Sequence, residues 1–98
     1  MALEIKWSKR ADSKFDTILE YLSIEWGEKN TESFVKKVYD FLDILSEFPE
    51  IGTLENKEKG IRGFTITKQL NVFYQIREND IVILNFFDNR QSPQKRKF

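Results

Sequence analysis

The sequence predicts an α+β fold in which an N-terminal helical hairpin packs on one face of a small, mainly antiparallel sheet. Three observations lead to this prediction. Two long stretches repeat apolar residues every three or four positions, as amphipathic helices do. Four short apolar stretches have the character of strands, one before the helical stretches and three after them. A sheet with this order, β-α-α-β-β-β, is buried most economically when the helices cover one of its faces.

The first strand and the first helix are predicted from residues 3–27. Leu3–Trp7 alternates apolar and polar residues, the period of a half-buried strand. Ser8 can cap the following helix, and Gly27 is placed to end it. The apolar face of this helix is expected to contain Ala11, Phe15, Ile18, Leu19, Leu22 and Trp26.

The second helix is predicted to start at Asn30 or Thr31, which are both acceptable caps, and to stop at Pro49. Very few residues separate it from the first helix, so the two are expected to pack antiparallel as a hairpin. Its apolar face is expected to contain Phe34, Val35, Val38, Phe41, Leu42, Leu45 and Phe48.

A polar loop and three strands are predicted for the second half. Residues 49–60 contain a proline, two glycines and a run of charged residues, which favours a flexible loop. The strands are expected at Ile61–Thr67, Leu70–Arg77 and Ile81–Phe87. The last of them is the most continuously apolar, so it is expected to lie centrally and to be covered on both faces.

The composition excludes several classes of enzyme. Ninety-eight residues predict one domain, spanning 1–98, and 40% hydrophobic residues suffice for one core. The chain has no cysteine and no histidine, which excludes Ser-His-Asp and Cys-His mechanisms. Its four glycines are not clustered into a phosphate-binding loop. We therefore expect no cofactor and no metal site.

The same sequence predicts a cytoplasmic protein. The N-terminus has no apolar stretch long enough for a signal peptide. The longest apolar cluster, Ile81 to Phe87, is interrupted by Asn85 and is far too short to span a bilayer. No association with a membrane is expected.

The net charge is zero, but the two parts of the chain differ in sign. Residues 1–60 carry nine Lys or Arg and thirteen Asp or Glu, a net charge of −4. Residues 61–98 carry seven Lys or Arg and three Asp or Glu, a net charge of +4. The basic end can attract an anionic partner, either nucleic acid or an acidic peptide. The alternative is that two solvated helices simply carry more glutamate.

The basic residues of the sheet and tail are the candidates for contacts to a target or partner. Structural explanations compete with this role. Arg62 can pair with an acidic helix residue, Arg90 can brace the corner after the last strand, and residues 95–98 can form a solubilising end. The candidates are Arg62, Lys68, Arg77, Arg90, Lys95, Arg96 and Lys97.

An ordered set of short motifs follows the two helices. Arg62-Gly63 opens one strand, residues 72–76 (Val-Phe-Tyr-Gln-Ile) lie in the next, residues 81–84 (Ile-Val-Ile-Leu) lie in the last, and residues 88–91 (Asp-Asn-Arg-Gln) follow it. Over nearly its whole length the chain thereby resembles the RelE/ParE superfamily, the toxins of type II toxin–antitoxin (plasmid stabilisation) systems.

The resemblance to the ribonuclease branch of this superfamily fails at most of its functional positions. That branch carries lysines where this sequence has Thr65 and Thr67, and an arginine where it has Asn71. Arg90 matches the arginine after the last strand and is the one catalytic candidate. Near the end no tyrosine follows Tyr74, and Phe98 cannot transfer a proton. The sequence is more similar to the ParE branch, which implies a toxin that binds DNA gyrase and catalyses no reaction.

The resemblance also implies the partners. A cognate antitoxin, with an often acidic segment that folds on binding, would neutralise the toxin, and the two can form a hetero-oligomer. One alternative is a RelE-like ribosome-dependent mRNA endoribonuclease, with the ribosome and mRNA as partners and Arg90 as its charge stabiliser. A second alternative is an inert homologue that only binds antitoxin.

Overall fold

The computed structural model describes residues 2–68 and 70–88 and has an α+β fold, with one long helix on a five-stranded mixed sheet. No helix within these residues combines the length and the apolar character needed to cross a bilayer. In chain order the elements are β1 (Glu4–Trp7), α1 (Lys9–Glu47), a 3-10 turn (Pro49–Ile51), β2 (Thr53–Asn56), β3 (Ile61–Thr67), β4 (Leu70–Ile76) and β5 (Asp80–Asp88).

Ser8 joins β1, α1 and β5. Its backbone is extended, and its hydroxyl oxygen accepts a hydrogen bond from the backbone N–H of Ala11 at 3.0 Å. The same hydroxyl donates to the carbonyl oxygen of Leu84 at 2.9 Å, and the Ser8 N–H donates to the carbonyl oxygen of Ile83 at 3.0 Å. The predicted N-cap is confirmed, and it also fastens the start of the helix to the sheet.

The prediction of two separate helices joined by a short connection is wrong, because α1 is one helical element from Lys9 to Glu47. Asn30 and Thr31 were expected to cap a second helix. Instead their side chains donate to the carbonyl oxygens four residues earlier, those of Trp26 at 2.9 Å and Gly27 at 2.8 Å. Such bonds satisfy helical carbonyl groups from within the helix. No loop therefore separates two helices.

Gly27 kinks α1 sharply. Its φ of 82° and ψ of 168° are not helical. A straight helix of 39 residues would be about 58 Å long, yet the longest dimension of the molecule is 39 Å. The rings of Phe15 and Phe34, on opposite sides of the kink, stack with centroids 6.3 Å apart. The two arms of α1 therefore fold back on each other and share one core.

The apolar face of α1 is largely as predicted, with Phe48 as the exception. Nine helix residues are buried. Phe48 was expected to continue this stripe, but its side chain is 65% exposed. The helix ends at Glu47, and Phe48 has the non-helical angles φ −128° and ψ 72°. Because the backbone leaves the helix there, Phe48 lies outside the buried stripe. The buried residues are Ala11, Phe15, Ile18, Leu22, Phe34, Val38, Phe41, Leu42 and Leu45.

The sheet has the strand order β1-β5-β4-β3-β2. The β1–β5 pair is parallel and the other three pairs are antiparallel. The prediction missed β2, because residues 49–60 were expected to form a flexible loop. Instead Thr53 pairs with Gly63 and Leu54 pairs with Arg62 along the edge of β3. A four-residue strand has little pattern of its own, and its pairing with β3 stabilises it.

The two faces of the sheet are covered differently. Ile81, Ile83 and Phe86 of β5 belong to the large core beneath α1. On the opposite face Phe87 packs in a smaller cluster with Ile61 and Phe73. β5 lies between β1 and β4, so it is an interior strand as predicted, but β4 is the middle strand of the sheet. The expected covering of both faces is wrong as far as the helix is concerned, because α1 packs on only one of them. We call the face that carries the smaller cluster the open face, because α1 packs on the other one.

We predict that Gly27→Ala destabilises the protein by about 1–3 kcal/mol, because the Gly27 backbone lies in a region that is essentially restricted to glycine. Space is not the obstacle, since an added Cβ would meet no atom within 4 Å. Urea unfolding monitored by circular dichroism measures the change. Glu28→Ala, the adjacent helical and exposed position, is the control and should change stability by under about 0.5 kcal/mol. Equal stability of the two variants would contradict the role assigned to Gly27.

Candidate functional site: the groove on the open face

A groove of about 520 Å³ lies on the open face, across β2, β3 and β4. The strand register places its side chains together: Thr53 lies opposite Gly63, Gly63 opposite Phe73, and Thr65 opposite Asn71. Residues that are far apart in sequence thereby form one surface. The groove is lined by Ile51, Thr53, Glu55, Gly63, Phe64, Thr65, Asn71 and Phe73.

Gly63 provides the floor of the groove. A Cβ added there would lie 2.8 Å from Cε1 of Phe73 and 3.0 Å from Cγ of Glu55. Both distances are shorter than normal van der Waals contact, so a larger residue would push these side chains apart. Phe73 itself is buried and packs edge-on against Phe87, with ring centroids 5.4 Å apart. The Phe73 ring, which lies beside Gly63 in the groove, is therefore held in a fixed position.

A neutral hydrogen-bonded pair occupies the groove. The Thr65 hydroxyl donates to Oδ1 of Asn71 at 2.8 Å. Asn71 is one of two buried polar residues among those that the structure describes. These are two of the three positions where the ribonuclease branch is expected to carry cations. Thr67, the third, lines a different groove with Trp26 and Phe34, because a register shift between Thr65 and Thr67 displaces it.

Among the residues that the structure describes, Glu55 supplies the only charged side chain that lines this groove. The groove can therefore hold hydrogen-bonding groups, but its lining within residues 2–68 and 70–88 contains no lysine or arginine to stabilise negative charge. A carboxylate at this position repels a phosphate group. Sequence analysis missed Glu55, because it assigned the residue to a solvated loop. The pairing of β2 with β3 is what brings it to the groove.

The three predicted cationic residues that the structure describes, Arg62, Lys68 and Arg77, do not converge. Arg62 opens β3, whereas Lys68 follows its other end, about 20 Å away at the rise of an extended strand. Arg77 is exposed beyond the end of β4, where its Nε donates to Oε1 of Gln75 at 3.4 Å. Arg90, Lys95, Arg96 and Lys97 lie outside the described residues. Their roles in binding stay predictions.

Arg62 contacts the segment that follows α1. It was expected to pair with an acidic helix residue, and it lies near one, Glu50 of the 3-10 turn, although its hydrogen bonds go to backbone carbonyl groups. Its Nη1 donates to the carbonyl oxygens of Gly52 at 2.8 Å and Glu50 at 3.5 Å. Its Nη2 lies 4.0 Å from Oε1 of Glu50. Arg62 thus stabilises the 3-10 turn through hydrogen bonds to backbone carbonyl oxygens, which are present whatever side chains the turn carries.

Tyr74 holds the same segment from inside. Its side chain is fully buried, and its hydroxyl donates to the carbonyl oxygen of Pro49 and accepts from the N–H of Gly52, both at 2.8 Å. Burial raises the pKa of the Tyr74 hydroxyl, although the Gly52 hydrogen bond and the nearby Arg62 charge act in the opposite direction. A Cβ at Gly52 would lie only 2.6 Å from this hydroxyl. Gly52 is therefore required for the close approach.

The residues that the structure describes contain no group of three or more histidine, cysteine, aspartate or glutamate side chains placed to bind a metal ion.

The family is shown by comparison with a family model. The model for the ParE toxin of type II toxin–antitoxin systems, parDE, matches residues 5–93. The chain belongs to the ParE toxin family. This toxin is thus the toxin component of a type II toxin–antitoxin system, within the RelE/ParE superfamily that its motifs resemble. Among curated proteins, none matches its sequence.

Solved structures share the fold of this ParE-family toxin. A chain of the chromosomal ParDE system from P. aeruginosa is 17% identical, with a TM-score of 0.75 over 89% of this chain and 96% of that chain. The YoeB dimer from Staphylococcus aureus gives 20% identity and a TM-score of 0.61, over 89% and 97%. The E. coli DinJ-YafQ toxin–antitoxin complex gives 10% and 0.59, over 92% and 96%. These likenesses show a common fold and do not separate the branches.

We predict that Tyr74→Phe destabilises the toxin by about 1–3 kcal/mol, because it leaves the Pro49 carbonyl and the Gly52 N–H without their buried partner. Urea unfolding at pH 7 measures the loss. Tyr39→Phe is the control, since Tyr39 is 53% exposed.

The comparison of wild type with Tyr74→Phe also predicts a pH dependence of stability. The pKa of Tyr74 is raised above 10.0 in the folded state, so below pH 10 the hydroxyl is protonated in both states and its full contribution is present. As the pH rises through 10 the unfolded state loses its proton first, and the stability difference between wild type and Tyr74→Phe should shrink. A stability difference between wild type and Tyr74→Phe that stays constant up to pH 11 would contradict the assignment of Tyr74 as a buried, hydrogen-bonded hydroxyl.

Proposed function

We propose that this toxin inhibits growth in the cytoplasm by binding DNA gyrase, that it does not cleave RNA, and that a cognate antitoxin neutralises it. The single observation that carries the proposal is the groove on the open face, whose described lining contains no lysine or arginine. Thr65 and Asn71 bond to each other at positions where the ribonuclease branch would carry cations, and Glu55 adds negative charge beside them.

The physical argument concerns the charge of the transition state. Cleavage of a phosphodiester builds negative charge on the phosphoryl oxygens, and one preorganised donor at such a site is typically worth about a hundredfold to a thousandfold in rate. Neither Thr65 nor Asn71 carries a positive charge, and the Thr65 hydroxyl already donates to Asn71, so this pair offers less stabilisation than the cations of the ribonuclease branch would. A carboxylate in the same groove opposes it. This favours a toxin that acts by binding.

An antitoxin partner has separate support. Two of the solved structures that share this fold belong to toxin–antitoxin systems, ParDE and DinJ-YafQ. On this proposal the toxin and its antitoxin form a hetero-oligomer. Contacts to gyrase are expected from exposed side chains of the sheet and from the basic tail, which contains Arg90 and residues 95–97.

Expression of the isolated toxin in a bacterial host tests the proposal. We expect filamentation and a DNA-damage response with intact transcripts, and we expect the purified toxin to inhibit supercoiling by purified gyrase. Nucleoid staining, transcript 5′-end mapping and a supercoiling assay measure these outcomes. Leu45→Asp is the control for expression itself, because Leu45 is fully buried and a charge there should unfold the chain.

Two other outcomes would contradict the proposal. New codon-spaced mRNA ends would identify a RelE-like ribonuclease, and Arg90→Ala would then be the variant to show whether Arg90 stabilises the charge. Normal growth at a confirmed soluble level, with gyrase unaffected, would identify an inert homologue that only binds antitoxin.

A further inference from the structure

We propose that an exposed apolar surface at the end of α1 is the docking site for an antitoxin segment that carries apolar side chains flanked by lysine or arginine. This inference rests on the antitoxin partner in the proposed function. The surface consists of Ile44, Phe48, Ile51 and Ile76, and we call it the end patch. Glu47 and Glu50 lie at its rim.

Three of the exposed apolar side chains that the structure describes gather at the end patch. Phe48 is 65% exposed, Ile44 47% and Ile51 40%. Together with the partly buried Ile76 they line one groove of about 870 Å³. A single exposed apolar residue is ordinary, but a contiguous group beside a groove marks an interaction site.

The backbone beneath the end patch is held in place before any partner arrives. The Phe48 N–H donates to the Ile44 carbonyl oxygen at 2.9 Å, and the Ile51 N–H donates to the Phe48 carbonyl oxygen at 3.1 Å. The next residues are fixed by Tyr74, whose hydroxyl bonds both Pro49 and Gly52. Because this segment of the toxin is already ordered, binding of a partner reduces the conformational entropy of the toxin only slightly.

The charges at the end patch decide the chemistry of its occupant. Among the described residues that line the groove, the charged ones are Glu47 and Glu50; both are exposed, and Oε1 of Glu50 lies 4.0 Å from Nη2 of Arg62. Two copies of this toxin paired through the patch would place two like-charged Glu47 carboxylates in one interface, which disfavours a symmetric dimer. A segment with lysine or arginine beside its apolar anchors is complementary instead. The acidic segment expected from the sequence does not fit this surface.

The position of the end patch connects it to the open face. Ile51 lines both the end patch and the groove that contains Thr65 and Asn71. A segment seated on the patch therefore has a continuous path to the groove. This gives the antitoxin a way to cover exposed sheet side chains while it is anchored at a separate surface.

The test compares identical substitutions inside and outside the end patch. Ile44→Ser lies in the patch, whereas Ile24→Ser changes an isoleucine that is 83% exposed near the kink of α1. The two positions are 20 residues apart in one helix. The probe is the purified product of the reading frame adjacent to the toxin gene, titrated into the full-length toxin by calorimetry.

We expect Ile44→Ser and Phe48→Ser each to weaken the complex by about 30-fold or more, as central apolar anchors do, and Ile24→Ser to leave its affinity unchanged. Glu47→Lys should weaken the complex and reduce its dependence on salt, while Glu32→Lys, on an exposed part of α1, should not. Melting temperatures within about 2 °C of wild type would establish that the variants are folded.

Three results would overturn the inference. Equal affinity of Ile44→Ser, Phe48→Ser and wild type would place the antitoxin elsewhere and leave the proposed toxin activity intact. A wild-type dimer in analytical ultracentrifugation that Phe48→Ser dissociates would assign the patch to a second copy. No binding of the adjacent gene product to wild type would remove the antitoxin dock, and the gyrase and expression assays would then decide the proposed toxin activity independently.

Discussion

The reversal of α1 at Gly27 is the constraint on which the rest of the structure depends. Because the helix turns back within a single residue, both of its arms pack on the same face of the sheet and share one core. The opposite face has only the small cluster around Phe73 and Phe87. That face is therefore free to form a groove, and the close approach at Gly63 gives the groove its depth. The groove forms on this face because the apolar residues of α1 pack on the other one.

The segment after α1 links the two surfaces that we assign to function. The Tyr74 hydroxyl forms hydrogen bonds with the backbone of this segment from within the core, and the Arg62 guanidinium donates to the same backbone from β3. The same segment holds Phe48 and Ile51 outside the core and leads into β2, which brings Glu55 to the groove. Arg62, a binding candidate in the sequence, thus acts together with the buried Tyr74 on structure. The function we propose follows from what they position.

The sequence predicted elements whose signals are local, and it failed where the outcome depends on pairing. Ser8 was identified because an N-cap acts within one turn. The strands at 61–67, 70–77 and 81–87 were placed to within one residue at each end. In contrast, β2 was missed because its stability comes from β3, and Glu55 was missed with it. The kink at Gly27 was predicted as the end of a helix, because a glycine in the sequence is compatible both with a kink and with a helix end.

The central claim is that the groove on the open face does not bind the phosphate backbone of RNA. The most direct measurement is a titration of the ¹⁵N-labelled toxin with an uncleavable 2′-O-methyl RNA oligonucleotide, followed by the backbone amide signals of Gly63, Thr65, Asn71 and Phe73. Our account predicts that these four signals do not move at physiological salt. Saturable shifts that are confined to the groove would contradict it and would assign RNA chemistry to this face.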